Sequence, residues 1–373
     1  MALPVRSLLV GMRDAYSERC RTGEGENEMH VPSVRQKILR RGQVRQILLA
    51  SLRHSMARPN GFAPARHRNE TGRLPITGRG QVSMAKTVRV KSFQLIARDI
   101  ADVDVHLLHV LSIGVGWPHR PADWEFLRQV GQGIVAVDDI GRVFCSAMWF
   151  LQGEDLATIG LVITTPRAQA QGAGRWLMEE VMERCKGRNL TLNSTKAAYP
   201  LYLSLGFEKE ATVFLHGGIL STLPAAARDH GLDELPTTQI EELADYDTEA
   251  FGVNRSAVLV QLSKRSVTCV LRRSDKVVGY AMRRQFGRGH VIGPIVASND
   301  EDAILLVGWH LPALKDGYVR IDTREDTSPF AEFLTQIGLP TTSTTMTMSK
   351  GRRFLNRSDA SPWVYGLAAH ALN

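Results

Sequence analysis

Two stretches of this chain follow one plan. Ile159-Gly160-Leu161-Val162-Ile163 opens a strand, a helix and a second strand follow, and Leu205-Gly206-Phe207 closes the unit. Further on, Ile292-Gly293-Pro294-Ile295-Val296 opens the same sequence of elements and Ile337-Gly338-Leu339 closes it. The spans from first to last glycine are 46 and 45 residues. Self-similarity of this kind marks an internal duplication of one supersecondary unit. The chain is therefore constrained to two copies of a strand–helix–strand arrangement, and its 373 residues are enough to give each copy its own core.

The flanking periodicity predicts how each copy is completed. Ahead of the first unit, Phe93–Ala97 reads as a strand and Asp99–Ile113 as a helix with Val103, Leu107 and Val110 on one face. Ala122–Val130 reads as a second helix, and Gly133–Val137 and Arg142–Leu151 as a hairpin turning at Asp138-Asp139-Ile140-Gly141. Leu156–Thr164 is the next strand, Arg175–Lys186 an amphipathic helix, Leu190–Ser194 a strand and Leu201–Ser204 a helical turn. The second copy repeats this with a helix at Ile240–Phe251, a hairpin of Val267–Arg272 and Val277–Arg284, strands at Val291–Ala297 and Tyr318–Asp322, and a helix at Asp302–Leu314 between them. The fold class is α/β, a mixed sheet built from two tandem domains. The expected boundaries are a basic extension over 1–83, a first domain over 84–216, a linker over 217–236 and a second domain over 237–373.

Charge separates the extension from the rest. The chain carries a net charge of +8, but residues 1–83 hold 15 Lys and Arg against 6 Asp and Glu, so the remainder is close to neutral. A nucleic-acid footprint belongs on a folded face, so no nucleic-acid partner is expected. Met84 is a plausible start, because ordered patterning begins after it. Asp14, Glu18, Glu24, Glu26 and Glu28 argue against a transit peptide. No apolar run is long enough to span a membrane. Cys20, Cys145, Cys185 and Cys269 are scattered, without ligand spacing. They read as free thiols of a cytoplasmic protein, and no metal is expected.

The sharpest chemical signal is Gln169-Ala170-Gln171-Gly172-Ala173-Gly174-Arg175, between a strand and a helix. A helix N-terminus offers unpaired N–H groups and a positive dipole end, and glycines let an anion approach the backbone. Together with Ala198-x-x-Leu201-Tyr202-x-x-Leu205-Gly206-Phe207, this stretch resembles the GNAT acetyltransferase superfamily. The likeness covers about Val88–His216. Phe251-Gly252-x-x-Arg255 and Gly293-Pro294 resemble the C-terminal domain of two-domain members of that superfamily.

The resemblance implies acetyl-coenzyme A as co-substrate. Gln169, Gln171, Gly172, Ala173, Gly174 and Arg175 would form the pyrophosphate loop. Val162, Ile163 and Thr164 would pair their backbone with the pantetheine arm. Tyr202 takes the position of the general acid that protonates the departing thiolate, a role suited to a phenol that stays protonated at neutral pH. Two positions depart from the family pattern: Thr195 stands where Asn is usual, and the strand over 156–164 lacks a Glu base. The amine proton then leaves through water or to a base from elsewhere, for which Glu154, Asp123 and His119 are the candidates. Trp117 fits an acceptor wall, or else it and Trp124 both pack the core.

The second copy has Asn299-Asp300-Glu301-Asp302 where the first has its glycines, and Leu334 or Phe333 in the register of Tyr202. Acidic side chains at a helix start would repel pyrophosphate, so this half reads as degenerate. It is left to complete the acceptor pocket, hold the fold or make a homodimer contact; Arg283, Arg320, Asp322 and Arg324 are its candidates to reach an acceptor. The expected function is transfer of an acetyl group to a primary amine, of a small molecule or a protein, by direct attack in a ternary complex. The alternative is a non-catalytic sensor or scaffold that binds coenzyme A.

Overall fold

The structure is a computed structural model that describes residues 87–90, 93–224, 231–355 and 361–373. The predicted extension and Cys20 lie outside the described residues. The first half runs β1 (Thr87–Val90), β2 (Phe93–Asp99), α1 (Val105–Gly114), α2 (Pro121–Val130), β3 (Gln132–Val137), β4 (Val143–Gln152) and β5 (Leu156–Thr164). It continues through α3 (Ala173–Arg184), β6 (Asn189–Ser194), α4 (Tyr199–Ser204) and β7 (Glu208–Ile219). The second half runs β8 (Leu232–Glu234), α5 (Ala244–Phe251), α6 (Ser256–Ser263), β9 (Val267–Arg273), β10 (Lys276–Phe286) and β11 (Gly289–Ala297). Then come α7 (Asp300–His310), β12 (Tyr318–Thr323), α8 (Pro329–Gln336), β13 (Thr341–Lys350) and β14 (Trp363–Gly366).

All of these strands join one mixed sheet, in the order β1-β2-β3-β4-β5-β6-β13-β7-β12-β11-β10-β9-β8, with β14 on β11. The duplication is visible in it. β5 pairs parallel to β6 across α3, and β11 pairs parallel to β12 across α7. The two halves also exchange strands. β13, late in the second half, pairs antiparallel to β6 of the first, while β7 pairs antiparallel to β12 of the second. β13 and β7 then pair with each other at the seam. The predicted boundary at residue 216 falls inside β7, whose apolar run is only Val213–Leu215, between charged residues and two glycines; β13 is mostly Thr and Ser with two Met.

Burial explains the layers. α3 lays Leu177, Met178 and Val181 on one face of the first half's strands, in a cluster with Trp149, Tyr202 and Phe207. On the other face, Leu108, Leu111, Trp124 and Phe150 pack in one cluster with Phe251, Leu259 and Tyr280 of the second half. The halves thus share a core as well as a sheet.

Two expectations for the leading helix need correction. A helix over 99–113 is instead a 3-10 turn at Ile100–Asp102 and a separate α1, restarted where the Asp104 carboxylate accepts from the His106 N–H at 2.8 Å. The buried face is Leu108, Leu111 and Ser112, while Leu107 and Val110 are exposed. α1 is apolar nearly all round, so periodicity had no polar face to orient it.

Candidate active site

β5 and β6 pair only from Leu156–Asn189 to Ile159–Leu192, and beyond that point they part. A bulge lies just past it. Met148 faces Gly160 and Ser146 faces Ile163, so Ala147 of β4 opposes both Leu161 and Val162. Leu161 takes φ 52°, a costly conformation for a branched side chain, and its carbonyl accepts from the Ser146 hydroxyl at 2.7 Å. No residue type in the sequence announces this bulge. A cavity of about 910 Å³ opens at the splay.

The predicted site residues divide between this cavity and the loop beyond β5. Val162, Thr195 and Tyr202 line the cavity. Tyr202 is 5% exposed, meets Phe207 edge-on at 6.0 Å, and has no hydrogen-bond partner for its hydroxyl among the described residues. Burial pushes its phenol above the usual range, so it stays protonated. The Thr195 hydroxyl accepts from the Ala198 N–H at 3.3 Å, helping to set the start of α4. Ile163 is buried rather than facing the cavity lining, and the Thr164 hydroxyl sits where a Cβ on Gly174 would lie 3.2 Å from it.

The loop is held by its own side chains. Gln169 Nε2 donates to the Thr164 carbonyl at 3.0 Å, and Gln171 Nε2 donates to the Arg167 carbonyl at 2.8 Å. The Arg175 guanidinium turns to Ser204 and Glu179. What the loop leaves open is backbone: Gly172 precedes α3 at φ 85°, no side chain caps the helix, and nothing stands within 4 Å of where a Gly172 Cβ would be. Ala173, Gly174 and Arg175 therefore present the first N–H groups of the helix without a side-chain acceptor. α7 differs. Asn299 Oδ1 accepts from the Asp302 N–H at 2.9 Å, three acids fill its first turn, and Asp302 is paired with Arg273.

The far wall of the cavity comes from the α1–α2 connection, from the second half and from the C-terminal segment. Trp117 and His119 line it, whereas Trp124 is fully buried with its Nε1 donating to Ser112 Oγ at 2.9 Å. His119 Nδ1 is enclosed with no partner among the described residues, and burial pushes the imidazole down to about 4 against the pull of Asp123. The other two candidates to accept a proton are elsewhere. Glu154 is exposed in the β4–β5 turn. Asp123 is bound by Arg120 and by the Gly287 N–H, which hold its carboxyl below the usual range despite burial.

β12 places Arg320 and Asp322 on the cavity, joined at 2.7 Å, with His370 at 3.3 Å from the same carboxylate. Arg283 and Arg324 do not line it; Arg284, which no sequence signal singles out, does. The C-terminal segment crosses both duplicated glycines: a Cβ on Gly160 would strike Ala371 at 2.3 Å, and one on Gly293 the Leu367 carbonyl at 2.1 Å. Thr158 Oγ1 donates to the Ala371 carbonyl at 2.7 Å. Among the described residues no cluster of His, Cys, Asp and Glu is arranged to hold a metal, and no helix is long and apolar enough to cross a membrane. Cys145, Cys185 and Cys269 are buried free thiols.

Residues 133–222 and 243–362 each match a family described as acetyltransferase (GNAT) domain. The chain is 26% identical over 251 residues to an uncharacterized N-acetyltransferase, YitH, of Bacillus subtilis, a match covering 64% of this chain and 88% of that protein. Its fold is similar to the crystal structure of a putative acetyltransferase from Pyrococcus horikoshii, with a TM-score of 0.63 and 18% identity, over 82% of this chain and all of that one.

Proposed function

From the premise that this chain belongs to the GNAT acetyltransferase superfamily and carries two of its domains in tandem, we propose that its first half transfers an acetyl group from acetyl-coenzyme A to a primary amine. The observation that carries this reading is the cavity at the β5–β6 splay, which joins the bulged backbone of β5 to the buried hydroxyl of Tyr202. The residues present fit the co-substrate. The uncapped start of α3 and the bare Gly172 suit a pyrophosphate, with Gln169 and Gln171 bracing the loop and Ala173, Gly174 and Arg175 supplying main-chain donors. On its β6 side the backbone over Val162–Thr164 has no strand partner among the described residues, although Ile163 and Thr164 pair with β4, and this free edge suits an extended amide-bearing arm. Thr195 positions α4, and with it Tyr202.

The chemistry follows from this placement. An amine held against the splay is brought to the thioester carbon as a neighbour rather than by collision. Charge developing on the carbonyl oxygen is met by main-chain N–H groups at the bulge. Tyr202, kept protonated by burial, donates to the departing sulfur. Of the three candidates His119 alone lines the cavity, and it is the one placed to take the amine proton. The second half, with α7 closed by Asn299 and its acids, contributes the acceptor wall rather than a second cofactor site.

The test is acetyl-coenzyme A turnover, followed as free thiol release, for the wild type and Tyr202→Phe across a panel of amines. One or more amines should stimulate release, and the substitution should lower kcat by about 10²-fold or more, the scale of a lost general acid. Cofactor binding with no stimulated release by any amine would replace this reading with that of a coenzyme A sensor.

A further inference from the structure

The far wall of the cavity carries a buried positive charge that no carboxylate pairs directly among the described residues. Arg284, on β10, is 5% exposed. Its Nη1 donates to the Gly293 carbonyl at 2.9 Å and its Nη2 to the Ala368 carbonyl at 2.5 Å. A guanidinium has five N–H donors, and these two bonds leave Nε and part of each Nη uncommitted. No ion pair joins it to a carboxylate among the described residues. The two nearest acids are engaged elsewhere: Asp123 by Arg120, and Asp322 by both Nε and Nη2 of Arg320. Burial lowers Arg284 only to about 10, so it remains a cation at neutral pH. A buried cation bonded only to carbonyls, with Asp123 and Asp322 acting on it from a distance, is costly to keep.

Its surroundings repeat the same charge. Arg288, Arg320 and Lys196 also line the cavity, and the only acid among the lining residues is Asp322. The Arg284 and Arg320 guanidiniums lie 5.7 Å and 5.9 Å from the centre of the Phe286 ring. These cations are not the seat of the co-substrate's phosphates on the reading above, because the Gly172–Arg175 loop is not part of the cavity lining. Arg284 and Arg320 stand on β10 and β12 and Arg288 in the turn after β10, all in the second half, while Lys196 follows β6 in the first; all four line the same cavity as Tyr202.

We propose that the acceptor bears, besides its amine, an anionic group, a carboxylate or a phosphate, that pairs with Arg284 and is flanked by Arg288 and Arg320. This rests on the acyl-transfer reading for the identity of the ligand. The second half then has its own part in the reaction, because its strands select the acceptor while the first half holds the reacting atoms.

Binding of acetylated products, measured by calorimetry with coenzyme A present, tests the proposal without requiring turnover. The pairs are N-acetylglycine against N-acetylglycinamide and N-acetylglucosamine 6-phosphate against N-acetylglucosamine. On the wild type, the acid of at least one pair should bind about 30-fold or more tighter than its neutral partner, as expected for a desolvated charge pair, and which pair responds separates carboxylate from phosphate. Arg284→Gln should erase most of that preference and Arg284→Lys should restore part of it. Arg288→Ala, at an exposed position outside the Arg284 hydrogen bonds to Gly293 and Ala368, should reduce the preference in part. Neither acid outbinding its neutral partner on the wild type, no binding at all included, overturns the proposal. Thiol release stimulated equally by neutral amines would overturn it too while leaving acyl transfer standing; absent thiol release with a clear acid preference would do the reverse.

Discussion

His119, His310 and His370 are held neutral by burial, each pushed down to about 4 from 6.5. His310 is the cleanest of the three, lying 1% exposed with Nε2 at 3.2 Å from the Ala281 carbonyl and Nδ1 unpartnered. Its folded value lies below its unfolded one. The unfolded chain therefore binds the extra proton between those two values, and the stability due to this group is complete above pH ~6.5 and is lost as the pH falls toward 4. One such group contributes about 2–3 kcal/mol of that loss by pH ~4.5. Unfolding in urea from pH 7 to 4.5 should show a correspondingly smaller decline for His310→Phe than for the wild type; equal declines would mean that this ring is not held neutral. Single residues were unevenly legible in the sequence. Gly172 and Gly174 could be read, because an anion site at a helix start requires positions without side chains. Arg284 could not: alternation along β10 is broken by a register shift between Ala281 and Arg283, so parity counted along the strand does not tell which of Arg283 and Arg284 faces the cavity.

The clearest contrast between elements is that of α3 and α7, equivalent helices of the two copies. α7 is closed by Asn299 and by acids in its first turn, whereas α3 begins at a bare glycine. Writing the α7 solution into α3 tests what the open end is for. Gly172→Asp places a carboxylate where a cap belongs, which favours the helix, but forces a side chain into φ 85°. These effects oppose each other, so stability should move by no more than about 1 kcal/mol. Acetyl-coenzyme A affinity by calorimetry should fall by about tenfold or more, from like charge at the dipole end. Unchanged affinity would mean that the pyrophosphate does not lie at this helix. At this scale the central elements were legible wherever an apolar run or a turn signal bounded them, and β5, α3 and β6 appear close to their expected limits. β7 and β13 were not, because the apolar residues of β7 are confined to a short stretch at Val213–Leu215 between charged residues and glycines, and those of β13 are two Met in a run of Thr and Ser. The orientation of α1 was not legible either, since both of its faces are apolar.

At the scale of the molecule, those two unread strands change what the duplication means. The repeat of 46 and 45 residues predicts two domains side by side. The exchange of β13 and β7 instead seats a strand of each half within the sheet of the other, and the first half's Leu108 and Trp124 share a cluster with Leu259 and Tyr280 of the second. A first half alone would expose the edge of β6 that β13 covers and part of its apolar face, and unpaired edges of this kind drive association. The chain from β1 to the C-terminal segment should then unfold as one unit. Urea unfolding followed by tryptophan fluorescence and by far-ultraviolet circular dichroism should give coincident single transitions, because neither half retains a complete sheet without the other. Dividing the chain between Leu223 and Leu232 sharpens the point. Each fragment expressed alone should be insoluble or unfolded, while the two expressed together should form a soluble complex that turns over acetyl-coenzyme A, if acyl transfer is the function. A first-half fragment that folds alone with a single sharp transition would show that the exchanged strands decorate two independent domains rather than make one.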